Sequence, residues 1–294
     1  MKLSSKTTGW ISVFPVGACL VAITTIPLGY VLLLGFRRYY LPEETQSFIG
    51  FSNYLQILQT PEFWNSFLIT IVFSGSAVFL HLVLGVSIAL LLNQRFAGFE
   101  RIRRIFRAVI IVPWLLAGAV AASIWLVIFH PFGAVNSILM TLGLLKNPWI
   151  WLGDNKLTLP SVIVLYVWRI LPFFVVIILA SMESIPQRLY EAASIDGAGK
   201  VTQFFYITLP YIVPSLLTLG MVDTIWSFKQ FDLIFLTTGG GPAGATRNLP
   251  LLIYYTAFED LRFGRAAAQG ILTFLFTLAF AIVYIKLSVP REIK

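Results

Sequence analysis

The feature that most constrains this chain of 294 residues is a set of six long apolar stretches: Ile11–Phe36, Phe67–Leu92, Ala108–Phe129, Thr158–Met182, Leu209–Asp232 and Ala266–Ile285. The hydrocarbon core of a bilayer takes about 20 apolar residues as one helix. Lipid offers backbone N–H and C=O groups no partner, so helix is the expected state of each stretch. Composition agrees, with 58% hydrophobic and 12% charged residues, against roughly 45–50% and about 25% in soluble domains. A soluble fold of this length could not hide so much apolar surface. The expected fold class is all-α, an integral membrane bundle of about six transmembrane helices, and one membrane domain, 1–294, accounts for the chain.

Charge sets the orientation. With both ends inside, the inner segments hold Lys2, Lys6, Arg95, Arg101, Arg103, Arg104, Arg107, Arg188, Lys200, Lys286, Arg291 and Lys294. The outer segments hold Arg37, Arg38, Lys146, Lys156, Arg247, Arg262 and Arg265. Twelve against seven favours cytoplasmic termini, although Arg37 and Arg38 vote the other way. The net charge of +8 reads as positive-inside loops and not as a nucleic-acid surface, because the basic residues lie between spans. Cys19 is the one cysteine, which excludes disulfide frameworks and CxxC sites. Val16-Gly17-Ala18-Cys19 resembles a lipoprotein cleavage box, but the apolar run continues through Leu34, as in an uncleaved first span. Phe48, Phe51, Tyr54, Phe63 and Trp64 before the second span, and Trp149 and Trp151 before the fourth, read as an interfacial aromatic belt.

The connection between spans four and five, about residues 183–210, is structured and not merely basic. Pro186 through Ile195 can form a short helix with apolar Leu189, Ala192, Ala193 and Ile195. Gly197 and Gly199 permit a sharp break, and Pro210 suits the start of the next span. Physics alone leaves two readings open, a connector packed on its own domain or a helix that docks on a partner.

The spacing adds to this. Glu191-Ala192-Ala193, three residues, Gly197, nine residues, Ile207, one residue, Leu209-Pro210 resembles the signature loop of binding-protein-dependent ABC importer permeases. Gly239-Gly240-Gly241-Pro242 with Thr246 and Ala257-Phe258, Phe51 to Tyr54, Pro61 to Asn65, and Gly264 to Ala268 resemble segments of the carbohydrate-type permeases of the maltose and glycerol-phosphate kind. The resemblance implies a type I ABC importer permease (MetI-like) fold in a bacterial or archaeal cytoplasmic membrane. It implies a second, homologous permease, two ATP-binding cassette ATPases and an extracytoplasmic solute-binding protein as partners. It also implies that Glu191, Ala192, Ala193, Asp196, Gly197, Ile207, Leu209 and Pro210 couple the chain to the ATPase. No cofactor is expected on this chain, and ATP and Mg would bind the ATPase subunits. Gly197-Ala198-Gly199-Lys200 is no phosphate loop, since Ser194 stands at the first glycine position and Val201 follows the lysine. His81 and His130 are far apart and are expected to be satisfied structural residues.

Ionisable groups inside spans are costly and usually face a cavity or a partner. Arg169 in span four and Asp223 and Lys229 in span five are such groups, and Pro172 can kink span four. Asp223, Trp226, Ser227 and Gln230 recur at helical spacing, as do Tyr166, Arg169, Ile170 and Phe173. A sugar site needs hydroxyl-binding groups and aromatic faces, and both stripes supply them; helix adhesion is the competing reading. The stripes match the substrate-contacting positions of the maltose-type permease, but Arg169 and Asp223 differ in type, so maltose is not implied. Lys229 lies off the stripe and can snorkel or pair with Asp232. An importer for a carbohydrate or polyol (a sugar, an oligosaccharide, or a glycosylated or phosphorylated glycerol) is the expected function. A secondary transporter or channel is the alternative, and a membrane enzyme is disfavoured by the lack of a clustered catalytic constellation.

Overall fold

The computed structural model describes residues 5–43, 46–94 and 100–288. Of the basic residues used for orientation, Lys2, Arg95, Arg291 and Lys294 lie outside the described residues, as do the side chains of Lys6, Arg101, Arg103 and Arg104. The chain divides into two compact units, Met1–Trp64 with Leu252–Phe276 and Asn65–Leu251 with Thr277–Lys294.

The first unit contains helix α1 (Ser5–Gly35), a hairpin of β1 (Arg37–Tyr39) and β2 (Gln46–Phe48), and helix α2 (Ser52–Gln59). The hairpin pairs antiparallel with Arg38 opposite Ser47. Asn53 ties it down: its amide donates to the carbonyls of Gly35 at 3.0 Å and Arg37 at 2.9 Å. Phe36 packs against Phe51 and Tyr54. Tyr54 and Phe63 are buried, so of the expected aromatic belt these two serve the interior, while Phe48, Phe51 and Trp64 remain exposed. Arg37 and Arg38, the dissenting charges, bond Gln46 and Glu43.

The second unit holds most of the spans. Helix α3 (Pro61–Asn93) starts in the first unit and, at 1.5 Å per residue, extends about 50 Å. Helix α8 (Thr158–Glu183) is the core helix: 61% of its membrane window is buried, against 22% for Lys200–Phe228. It runs unbroken through Pro172. The third span is not the single helix expected over Ala108–Phe129. It consists of α4 (Glu100–Ile110), α5 (Val112–Leu115) and α6 (Gly118–Ile128), with a bend of 102° before α6. Pro113 cannot donate a backbone hydrogen bond, and Leu116 and Ala117 are extended. Helix α7 (Ala134–Thr141) follows, and its Asn136 binds Trp149 and Trp151.

After α8 come α9 (Gln187–Ile195), α10 (Lys200–Gln203), a π turn (Phe204–Thr208) and α11 (Leu209–Phe228). The π turn closes with Leu209 N–H donating to Phe204 O. The fifth span therefore ends at Phe228 and not at Asp232, because tight bonds from Lys229 to Trp226 and Gln230 to Ser227 terminate it. Helix α12 (Asp232–Thr237) packs on α6, and α13 (Leu249–Phe258) and α14 (Phe263–Ser288) follow. Among the described residues five helices are long and apolar enough to cross a membrane, and the bent third span, counted as one, brings the number to six.

Gly264 in α14 lies so close to the Arg37 carbonyl that an added Cβ would overlap it, and that Cβ would sit 3.0 Å from Tyr39 N. Gly270, two turns on, has open space. Gly264→Ala is expected to destabilise by about 1–3 kcal/mol through overpacking. Gly270→Ala is expected to be neutral or slightly stabilising, as in any helix interior. Thermal melts of the two variants in the same detergent check this, and equal midpoints would refute it.

Candidate functional site

Two clusters and one loop hold the residues singled out from sequence. The first cluster is sealed. Asp223 on α11 is fully buried. Its Oδ2 lies 2.6 Å from His81 Nδ1 on α3, and its Oδ1 accepts from Tyr166 on α8 at 3.0 Å. The other ring nitrogen of His81 lies 3.2 Å from Val167 O, and the ring stacks on Phe174 at 4.8 Å. One turn along, Ser227 shares a 2.5 Å hydrogen bond with Ser74 of α3. Asp223, Ser227 and Tyr166 are thus buried and partnered across α3, α8 and α11. Ile170 is buried beside them. His81 is satisfied, as expected, but its carboxylate partner was not foreseen.

The second cluster is open. Arg169 on α8 donates from Nε to the carbonyl of Leu116 at 3.3 Å, the carbonyl released by the break before α6. Its Nη1 lies 4.0 Å from Asp232 Oδ2, with side-chain exposures of 19% and 48%. Asp232 therefore pairs with Arg169 and not with the exposed Lys229. Gln230, otherwise buried, donates its side-chain amide to Asp232, while Asn248 Nδ2 donates to the Gln230 carbonyl at 2.5 Å. Gly118 opens α6 against this carboxylate, which a Cβ there would overlap. Phe173 stacks on Trp114 at 5.4 Å and meets Trp226 at 5.3 Å. Beyond Phe173 lies a cavity of about 370 Å³, bounded chiefly by Ile177, Pro214, Ser215, Thr218 and Val222. Arg169, Phe173, Trp226 and Gln230 are thus brought together. Trp114, Gly118 and Asp232 are additions. Pro113 beside Trp114 was the available signal for the break, and Asp232 was visible as an acid at the edge of an apolar run.

The loop between spans four and five contains the short helix expected there, α9, and none of its residues is buried. It ends in a Schellman motif, with Ala198 N–H donating to Ala193 O and Gly197 N–H to Ser194 O. Gly197 takes φ +80°, which residues with a Cβ resist. Gly199, expected to share that role, has φ −70° and simply precedes α10. Tyr190 bonds Thr208 at 2.9 Å and Gln203 bonds Ser194 at 2.9 Å, bracing the loop against itself. Glu191, Ala192, Asp196, Gly197 and Pro210 are exposed, and Ala193, Ile207 and Leu209 partly so. Ile195 is 87% exposed.

The sealed cluster makes a double-mutant expectation. His81→Ala or Asp223→Ala alone leaves a buried polar partner uncompensated and should cost about 3–5 kcal/mol. The double variant should cost clearly less than the sum. Denaturation midpoints of the purified protein measure both, and strict additivity would show that the two side chains do not interact.

The family model described as "Binding-protein-dependent transport system inner membrane component" matches residues 81–292. The trehalose/maltose transport system permease protein of Thermococcus litoralis is 35% identical over 292 residues, 98% of this chain and 96% of its own length. The sulfoquinovosyl glycerol transport system permease protein of Agrobacterium fabrum is 32% identical over 257 residues, 86% of this chain and 79% of its own. Among solved structures, a chain of a bacterial ABC transporter that imports the acidic polysaccharide alginate superposes with a TM-score of 0.81 at 21% identity, covering 99% of this chain and 100% of that one. The fold is that of ABC importer permeases, and the chain belongs to the family of binding-protein-dependent transport system inner membrane components.

Proposed function

We propose that the chain is the permease subunit of an ATP-driven importer for a carbohydrate or polyol (a sugar, an oligosaccharide or a substituted glycerol), working by alternating access. The observation that carries the coupling reading is α9: a helix outside the spans with no buried residue, tied to the following segment through Tyr190–Thr208 and Ser194–Gln203. An exposed Leu189, Ile195 and Val201 beside Glu191 and Asp196 form an apolar surface with acidic edges, suited to a cleft on another protein. That protein would be the ATPase, two copies of which would hold ATP and Mg. A second permease and an external solute-binding protein would complete the importer, with both termini of this chain in the cytoplasm.

The substrate reading rests on the open cluster. Trp226, Phe173 and Trp114 provide ring faces, and Arg169, Gln230 and Asp232 provide polar groups beside them. The named relatives carry saccharides or a sugar-substituted glycerol, which supports the same class. Ile170, Tyr166, Asp223 and Ser227 would then hold the walls in register and not touch the sugar.

Two expectations follow from these assignments. Gly197→Val places a β-branched residue at positive φ, costing roughly 1–3 kcal/mol locally, and is expected to abolish uptake and co-purification of the ATPase while membrane insertion stays normal. Gly197→Asn, which tolerates that conformation, should retain most activity; normal uptake by the valine variant would refute coupling through this loop. Trp226→Ala combined with Arg169→Ala removes a ring face and a charged donor. It should raise the sugar concentration for half-maximal ATPase stimulation about tenfold or more, and an unchanged value would remove both residues from the site.

A further inference from the structure

Three groups converge on one point of the open cluster, and all three suit an anion. Arg169 is a guanidinium within a membrane span. Helix α6 begins at Gly118 with no side-chain cap, and the Asp232 carboxylate lies against this positive dipole end of a half-span. Broken helices of this kind receive anionic substrate groups in other transporters. Gln230 adds an amide donor. Here the anion is already present, and it belongs to the chain. The Asp232 carboxylate lies 4.0 Å from Arg169 Nη1, accepts from Gln230, and sits against Gly118 so closely that even a methyl group there would overlap it.

We propose that Asp232 is a built-in anion that occupies the oxyanion corner of the substrate site, so that the site takes uncharged saccharides and turns away phosphorylated, sulfonated or carboxylated ones. This deepens the carbohydrate reading and rests on it. The exposures give the direction of selection. Asp232 is 48% exposed and Arg169 only 19%, so an arriving ligand meets the carboxylate first. Sugar hydroxyls can donate to its oxygens while a ring lies against Trp226 or Phe173. A phosphate or sulfonate meets a like charge, and the guanidinium and helix end that would hold it are already engaged. Like-charge juxtaposition is an effective means of rejecting a wrong ligand.

Asp232→Asn tests this with little change of shape. The complete importer, with its ATPase and second permease, is purified with wild-type and variant chains and titrated calorimetrically with glucose 6-phosphate. The ATPase sites are common to both samples and cancel in the comparison. The variant is expected to bind the phosphosugar about tenfold or more tightly than wild type. Adding Arg169→Ala should abolish the gain. Equal affinity in wild type and variant, or a gain that survives loss of Arg169, would overturn the proposal. Failure of both Asp232→Asn and Asp232→Gly to assemble would overturn it too, since Asp232 would then be a structural support. Uptake by the wild-type complex is read separately. Uptake of glucose 6-phosphate counts against the present proposal, whereas failure to take up any uncharged sugar counts against the carbohydrate reading while leaving the anion switch at Asp232 measurable.

Discussion

One buried carboxylate organises the second unit. Asp223 sits where no water reaches it, and an unpaired charge there would cost several kcal/mol. Its two oxygens are therefore committed, one to His81 on α3 and one to Tyr166 on α8. This fixes both rotation and height of three helices, because a slip by a single residue on any of them would strip the carboxylate of a partner. The Ser74–Ser227 bond repeats the α3–α11 link one turn away. Thr70, a further turn along α3, accepts the Leu249 N–H at the head of α13. A polar spine thus runs through a bundle whose apolar contacts alone would tolerate sliding, since lipid tails compete with apolar side chains on nearly equal terms.

With the spine fixed, the open cluster follows from helical geometry. Tyr166 and Ile170 face inward on α8, while Arg169 and Phe173 come out beside α5 and α6. On α11, Asp223 and Ser227 face inward and Trp226 turns toward Phe173. Each helix divides its polar residues between two faces less than half a turn apart. Arg169 also repairs the third span. The break after Pro113 releases the Leu116 carbonyl, and the guanidinium takes it up. The same side chain that marks a site in sequence is thereby a structural partner of the bend.

This division explains what could be read from sequence. Six spans were legible because about 20 apolar residues in a row leave one solution in lipid. The α9 helix and its Gly197 turn were legible because they depend on local chemistry and a distinctive spacing. The third span was misread as continuous because its apolar run does not stop where its helix does; the break is a backbone event at Pro113, Leu116 and Ala117. The two stripes were legible as polar but not as sealed or open. Periodicity separates lipid-facing residues from the others, yet it does not say which neighbour lies opposite. His81 is 142 positions from Asp223, and Asp232 chose Arg169 over the nearer Lys229. Partnerships at such range are set by packing, and nothing in a local window encodes them.

The two regions separated in sequence are joined by covalent structure. Helix α9 is bonded through Tyr190 to Thr208, in a π turn that leads directly into α11. From Lys200 to Phe228 the backbone is one helical segment of 29 residues, about 43 Å long. A displacement of α9 would therefore arrive at Asp223 and Trp226 along a stiff element. A second connection begins at the other end of the loop, where Glu183 closes α8 and bonds Arg107 of α4 at 2.6 Å. Helix α4 leads through α5 to the bend at Gly118 and its contact with Asp232. Under the proposed coupling, both walls of the open cluster would be driven from one loop, α11 directly and the third span through Glu183. Moving one wall against the other requires that their mutual contacts be exchangeable. The contact between Arg169, which holds the third span at Leu116, and Asp232, just beyond the end of α11, fits that need: at 4.0 Å, half-exposed on the carboxylate side and without a close hydrogen bond between its partners, it is far weaker than the sealed Asp223 cluster that ties α3, α8 and α11 together.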